Sequence, residues 1–364
     1  MDARARRGPS GRAELDLARL SAVLVVNAGS TSLKLSVVRG DADSEPVASL
    51  AEAPADVQAV AHRIVHGGAR FREPVVIDDA IESALAELVE LAPLHNAPAL
   101  AALADARRAF PDLPHVAVFD SAFHATLTEE AATYALPQRF RREWGIRRFG
   151  FHGLSVRWSA ERVRVPRLVV CHLGGGCSVT AVRDGRSVDT SMGFTPLDGV
   201  PMATRAGSLD PGILLHLLRH GVLFDELDSA LEHESGLVGL SGISGDVREL
   251  QASPAPEAKL ALDVFTYRVA GAVASMAAAL GGIDALVFTA GVGEHSALVR
   301  ERVCDRLVFL GVELDRAANA GAEPDVDVHA ASSPVRVAVV RAREEVVAAA
   351  AARELLGASF GSKN

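Results

Sequence analysis

Cysteine is scarce in this chain. There are three, Cys171, Cys177 and Cys304, with no CxxC spacing, which points away from a disulfide framework or a thiolate metal site and toward reduced thiols. Aromatic residues make up only 5%, so the apolar share rests on Ala and Val, small residues that let helices sit close on a sheet in α/β layers. Positive charge is in deficit. The net charge of -9 excludes nucleic acid as the default partner, because a phosphate backbone needs a basic surface. No apolar run approaches the ~20 residues that cross a bilayer, so no membrane partner is expected. Residues 1–20 carry arginines without an apolar centre; they are not a secretory signal and are read as a disordered tail on a cytoplasmic protein. The phosphate loop GxxxxGK[ST] is absent, as are HExxH and GxGxxG; Gly291-Val292-Gly293 continues with Glu-His-Ser. P-loop, zincin and dinucleotide sites are thereby excluded. An anionic ligand must be held by individual basic residues and glycine amides.

The length of 364 residues suits two domains. Val23–Val26 reads as a strand that stops at the polar turn Asn27–Ser32, and Leu33–Val38 as a second strand ending at Arg39-Gly40. Shifted by 145 residues, Val169–Cys171 stops at His172–Gly176, and Ser178–Val182 ends at Asp184-Gly185. In that alignment Gly29 falls on Gly174, Val37 on Val182 and Gly40 on Gly185. Two copies of one unit, facing across a cleft, are expected. Helices are predicted over Ile81–Leu91, Pro98–Phe110, Pro211–Arg219, Lys259–Leu280, Ala297–Leu307 and Glu344–Leu356. Strands are predicted at Val116–Phe119, Ala285–Thr289 and Val335–Val340, and Glu323–Ser333 reads as a surface connection. Helices spaced between strands indicate a mostly parallel sheet with helical cover. The domain boundary is placed at Arg164–Arg167.

Three glycine-containing turns follow strands directly: Asn27–Ser32, His172–Gly176 and Gly291–Glu294. Backbone N–H groups at the C-terminal ends of strands are a common phosphate site, although each turn alone could be an ordinary one. Arg63 in HRIVHGG and Arg205 in MATRAG could grip carboxylate or phosphoryl oxygens with two N–H groups; surface ion pairs are the plainer alternative. Asp120 follows a buried strand and could hold a metal or cap a helix. His152, in FGFHG, could stabilise a phosphoryl group either as a cation or as a neutral donor.

Taken in order, VNAGSTSLK, HRIVHGG, LAPLHN, FDSAFH, FGFHG, HLGGGCS, DTSMGFTPLDG, SGISGDVREL and FTAGVGEHS resemble the acetate kinase family, which includes propionate and butyrate kinases. The resemblance spans residues 23 to 356. It implies the duplicated actin-like and sugar-kinase (ribonuclease H-like) fold, with domains at 21–165 and 166–343, and helix 344–357 joined to the first. It also implies a homodimer, ATP or ADP as substrate, and Mg2+ or Mn2+. Arg63, Asp120, His152 and Arg205 match the family's catalytic set, and His95 and His172 match further histidines of the site. Val65, Leu94, Phe151 and Pro196 match its methyl pocket. Asn27, Ser30, Ser32 and Lys34 match the first phosphate-side loop. The nucleotide loops correspond to His172, Leu173, Gly174, Gly175 and Gly176, to Asp246, Val247 and Arg248, and to Gly291, Val292, Gly293, Glu294 and His295. Asn27 and Glu344 correspond to metal-associated positions.

The chain departs from the family at Gly175 and His295, where Asn is usual, at Arg343, where Asn or Asp is usual, and at Ser208, where Asp is usual. The activity implied is reversible, direct in-line phosphoryl transfer between ATP and acetate, giving acetyl phosphate and ADP. The alternatives are propionate or butyrate as acceptor, a different phosphoryl donor, and a nucleotide-binding relative without turnover.

Overall fold

β-branched residues flanked by turn formers build the strands that carry the molecule. The structure, a computed structural model, describes residues 21–28, 33–40 and 43–361, apart from the side chains at positions 43, 91, 93, 94 and 359–361. The 1–20 segment, Ser30, Ser32 and the side chain of Leu94 therefore lie outside the described residues.

The first sheet comprises β1 (Ala22–Ala28), β2 (Leu33–Arg39), β3 (Asp43–Val47), β4 (Ala59–Ile64), β5 (Val75–Val76) and β6 (His115–Phe119). The second comprises β7 (Arg167–Leu173), β8 (Cys177–Arg183), β9 (Arg186–Thr190), β10 (Ala285–Thr289), β11 (Val326–Asp327) and β12 (Arg336–Val339). Their orders are β3-β2-β1-β4-β6-β5 and β9-β8-β7-β10-β12-β11, so each strand of one sheet has its counterpart in the other. In both, an antiparallel meander leads into three parallel strands, β1-β4-β6 and β7-β10-β12, with an antiparallel edge strand.

The repeat is real, with a correction to its register. Ala22 pairs with Arg39 and Arg167 with Arg183, so the offset is 145 on the first strand and 144 on the second. The loop His172–Gly176 is one residue tighter than its counterpart. Val37 thus corresponds to Ala181, not Val182; a one-residue slip would turn the side chain to the opposite face. Two further differences concern strands. Glu323–Ser333 contains edge strand β11, and β4, which carries Arg63, is a central parallel strand that the sequence reading leaves unassigned.

Helix Gly153–Arg162 follows the first sheet but packs on β7 and β10 of the second, whereas helix Glu344–Gly361 follows the second sheet and packs on β1, β4 and β6 of the first. The two helices also touch each other. One apolar cluster joins them to both sheets, drawing in Val23, Val25, Leu154, Trp158, Val170, Val287, Val346 and Ala352. Helix Pro256–Leu280 is long and apolar enough to cross a membrane by length and composition. Its buried residues Ala258, Ala261, Leu262, Phe265, Val269 and Val273, however, form a helical stripe against β7 and β8. It stops at Gly281 in the left-handed region, whose N–H closes on Ala277 and Ala278 carbonyls.

Gly153 sits where the exchanged helix meets the first sheet: a Cβ there would overlap the Asp120 carbonyl and the Phe123 Cβ. Gly153→Ala is expected to destabilise by about 1–3 kcal/mol, the usual cost of overpacking, read as a lower denaturant midpoint at constant slope. A variant as stable as wild type would show that this junction can relax.

Candidate active site

The parallel strands of both sheets end at one cavity of about 950 Å³, lined from both halves of the chain. From the first half come Asn27, Lys34, Arg63, Val65, His95, Asp120, Phe151 and His152. The second half contributes His172, Gly174–Gly176, Pro196, Arg205, Asp246–Arg248, Gly291, Val292, Glu294, His295 and Glu344. Among the described residues, two of the matched ones do not line it. Leu173 is fully buried, its side chain turned into the core, and Gly293 packs on Phe288 and the Cys171 carbonyl. Gln251, Ser296, Ala342 and Glu345 line it although the sequence reading omits them. Glu345 could have been suspected beside Glu344; Gln251 and Ser296 have no local signal, and meet only through a 2.5 Å hydrogen bond between distant segments.

Arg63 is the hub of the first half. Its Nε and Nη2 donate to the Asp120 carboxylate, with Nη2 2.6 Å from Oδ2; its Nη1 lies 3.1 Å from Asn27 Oδ1 and 2.7 Å from Glu344 Oε2. Registry explains the convergence. Asn27 on β1 pairs with Arg63 on β4, and Arg63 pairs with Val118 on β6, two residues before Asp120. Burial works to lower the Arg63 pKa, but Asp120 and Glu344 more than offset it, so the guanidinium stays charged. For Asp120, burial dominates and pushes its pKa up against the pull of Arg63.

Arg205 enters from the other side. Its Nη1 donates to the Pro196 carbonyl at 3.1 Å, and burial lowers its pKa. Near it, His152 adopts a left-handed backbone (φ 58), uncommon for a side-chain-bearing residue. Its Nδ1 lies 3.1 Å from Ser178 Oγ, and its ring stacks on His172 with centroids 4.0 Å apart. His172 Nδ1 in turn meets Ser155 Oγ at 2.9 Å. Each histidine is therefore anchored by a serine contributed by the other half of the chain. Burial, then the neighbouring cations, depresses these imidazoles: His172 to about 3, His95 to about 4, and His152 well below its ordinary value. Burial thus disfavours the cationic form of His152 in the free protein.

The glycine loop packs against this pair. A Cβ at Gly176 would sit 3.2 Å from His152 Nε2 and 4.0 Å from Arg205 Nη2, whereas one at Gly175 would meet nothing within 4 Å. Gly176 is therefore the position where bare backbone matters. Gly176→Ala is expected to displace the imidazole and to lower turnover at least ~10-fold, since small misplacements within a reaction site are costly, with little change in melting temperature. Gly175→Ala, in open space, serves as the control.

The third turn, Ala290–His295, opens with Ala290 at φ 65 and is tied back by Arg300. That guanidinium is almost fully buried and donates to the Gly293 and Glu294 carbonyls at 2.9 and 2.7 Å. Glu294 Oε1 accepts from the Ala342 N–H at 2.8 Å, linking the turn to the segment between β12 and the helix that begins at Glu344. Asp246 caps helix Val247–Ala252 and pairs with the exposed Arg248 at 2.5 Å.

The donors available to a divalent cation are oxygens: Asn27 Oδ1, Asp120 and Glu344, all within reach of one guanidinium. Hard oxygen ligands with only two carboxylates suit Mg2+, which keeps waters and takes further ligands from phosphates. No cluster of three or more His, Cys, Asp or Glu side chains able to hold a metal occurs among the described residues, so an ion here would depend on its substrate's phosphates.

Duplicated sheets with exchanged helices, and a cleft where glycine loops face two arginines, define the class: an actin-like α/β protein built to handle phosphate. The sequence profile of the acetokinase family matches residues 48–350, and the chain belongs to that family. A relative from Synechococcus sp. (strain JA-2-3B'a(2-13)), named acetate kinase, is 46% identical over 319 residues, covering 85% of this chain and 79% of the relative. A propionate kinase structure from Francisella tularensis superposes with a TM-score of 0.82 at 32% identity, covering 91% of this chain and 98% of that one. The acetate kinase structure from Porphyromonas gingivalis gives 0.82 at 31% identity, covering 92% and 100%.

Proposed function

We propose that this chain is an acetate kinase, moving a phosphoryl group reversibly between ATP and acetate. The observation that carries the reading is the meeting of Arg63, His152 and Arg205 in one cavity with the glycine loops. In-line transfer to a carboxylate needs positioning and charge neutralisation over three equatorial oxygens, not a covalent intermediate. Arg63 and Arg205 approach from opposite halves and grip the acceptor carboxylate and the phosphoryl oxygens. His152, neutral and held by Ser178, offers an N–H to the group in transit. Val65, Phe151 and Pro196 receive the methyl group. Gly174–Gly176 and Gly291, Val292, Glu294 and His295, with Asp246 and Arg248, hold the nucleotide, and Lys34 faces its phosphates. Asn27 and Glu344, with Asp120, would hold Mg2+ or Mn2+. A bound ion would supply charge neutralisation at the nucleotide phosphates.

Residues 21–165 with the closing helix, and residues 166–343, form the two domains in this reading. Helix Pro211–Arg219 has no buried residue, and Leu223 and Phe224 are 71% and 72% exposed; this apolar face supports a homodimer. Three free, buried cysteines support a cytoplasmic setting.

The test is a panel of acetate, propionate and butyrate with ATP and pyrophosphate, acyl phosphate being trapped as hydroxamate. The highest kcat/KM is expected for acetate with ATP and a divalent ion. An apolar pocket separates acids that differ by one methylene by only ~1–3 kcal/mol, so activity with propionate is expected too. A preference for propionate would reassign the acceptor; absence of turnover with every pair would remove the reading.

A further inference from the structure

Arg205 presents three edges, each with a different neighbour. Nη1 donates to the Pro196 carbonyl at 3.1 Å. Nη2 lies on the cleft side, 4.0 Å from the point where a Cβ on Gly176 would sit, a point that His152 Nε2 also approaches, at 3.2 Å. Nε faces Glu232 Oε2 at 3.7 Å, close enough for charge attraction but beyond a direct hydrogen bond. Arg63 shares two carboxylates, Asp120 and Glu344; among the described residues Glu232 is the carboxylate that faces Arg205.

We infer that Glu232 is a positioning residue that holds the back edge of Arg205, so that Nη2 stays aimed at the transferring group.

The backbone fixes this contact. Glu232 lies on Ala230–Glu234, a single wide helical turn of a kind often found at functional sites. The Glu232 carbonyl accepts from Thr204 Oγ1 at 2.7 Å. Beyond it, the N–H groups of Ser235, Leu237 and Val238 donate to the carbonyls of Thr204, Met202 and Ala203 at 2.9, 2.8 and 3.0 Å. Gly236, at φ 62, makes this approach possible, because a Cβ there would overlap the Met202 carbonyl. Segment 232–238 is thus zipped to the loop that carries Arg205. The two side chains keep 20% and 12% of their exposure, so the pair is only partly screened by water. Burial raises the Glu232 pKa against the opposing pull of Arg205.

The inference rests on the kinase reading. Without the carboxylate, Arg205 is tethered at the Pro196 carbonyl alone and samples other orientations. The cleft also loses a negative charge, so anions bind no more weakly. A kcat loss with unweakened ground-state binding is therefore expected, a split that general damage to the site would not give.

The experiment compares Glu232→Gln, which keeps shape and removes charge, with Glu232→Ala. Both are expected to lower kcat for acetate and ATP about 10- to 100-fold, while inorganic phosphate, titrated by calorimetry, binds as tightly or more tightly. In the Arg205→Ala background, Glu232→Gln is expected to change kcat/KM less than about twofold, since the two act as one unit. Wild-type kcat in Glu232→Gln, phosphate affinity lost in parallel with kcat, or an additive loss in the double variant would each overturn the inference while leaving the kinase reading intact. An inert wild-type protein would overturn that reading and the inference with it.

Discussion

Arg63→Ala is expected to lower kcat/KM by ~10³ or more and to destabilise the protein by about 3–5 kcal/mol. The activity term follows from the role proposed for Arg63 as a preorganised donor at the transferring group; a single such donor is worth ~10²–10³ in turnover, and Arg63 carries several N–H groups in one fork. The stability term follows from what remains. Asp120 is fully buried and Glu344 shares the same guanidinium, so the variant leaves two neighbouring carboxylates without their cation, and breaking a buried pair by deleting one partner costs about this much. Loss of the Arg63 charge would raise the Asp120 pKa further, in the direction in which burial already pushes it.

Arg63→Lys separates the two terms. An ammonium restores charge but not the planar fork that meets Asp120, Asn27 and Glu344 at once. Stability is expected to recover further than activity. Kinetics with a hydroxamate trap and chemical denaturation of both variants check this. An Arg63→Ala protein with wild-type turnover would remove Arg63 from the chemistry.

Acid unfolding is expected to begin unusually early, between pH 6.5 and 5. Burial, the largest cause in every case, holds His62 and His172 to about 3 and His66, His95 and His124 to about 4. In the unfolded chain each returns to about 6.5. Above that value neither state binds the extra proton, so these groups leave stability unchanged. Below it the unfolded state binds more protons than the native one, so stability falls as pH falls, by about 1.4 kcal/mol per pH unit for each histidine. The effect levels off only near pH 3–4. Five such groups together outweigh a typical folding free energy of about 5–15 kcal/mol before pH 4 is reached.

His62 and His115 cannot both charge, because His62 Nε2 and His115 Nδ1 share one hydrogen bond of 2.9 Å. Circular dichroism across a pH series, with potentiometric proton uptake, is expected to show a midpoint between pH 4 and 6 and the uptake of several protons. ATP should move that midpoint down, since its phosphates favour protonation of the cleft histidines. Equal stability at pH 7 and 5 would show that these imidazoles reach solvent.

Much of the site was legible in the sequence because its parts are local. Glycine turns directly after β-branched runs mark strand ends, and strand ends in parallel sheets are where ligands gather. The 145-residue echo exposed the duplication, although its register drifted by one at the tighter loop. β4 escaped notice because Ala59–Ile64 holds His62 and Arg63, polar residues that break an apolar run. Their reasons lie in neighbours: His62 bonds His115 on β6 and Arg63 reaches Glu344, the latter 281 positions away along the chain. Leu173 fell beside the phosphate loop in sequence and yet points into the core, a distinction set by strand orientation.

The sequence by itself determined most element types, the repeated unit, and most of the motifs whose residues line the cleft, because turn chemistry and strand propensity act over a few residues. Tertiary structure alone decided that one guanidinium is shared by three side chains, that His152 and His172 stack where burial depresses their pKa, and that Glu232 faces the Nε edge of Arg205. Those facts arise from parallel pairing, exchanged helices and burial, all of which join segments far apart in the chain, and the desolvation that sets the charges exists only once the two halves have closed on a common core.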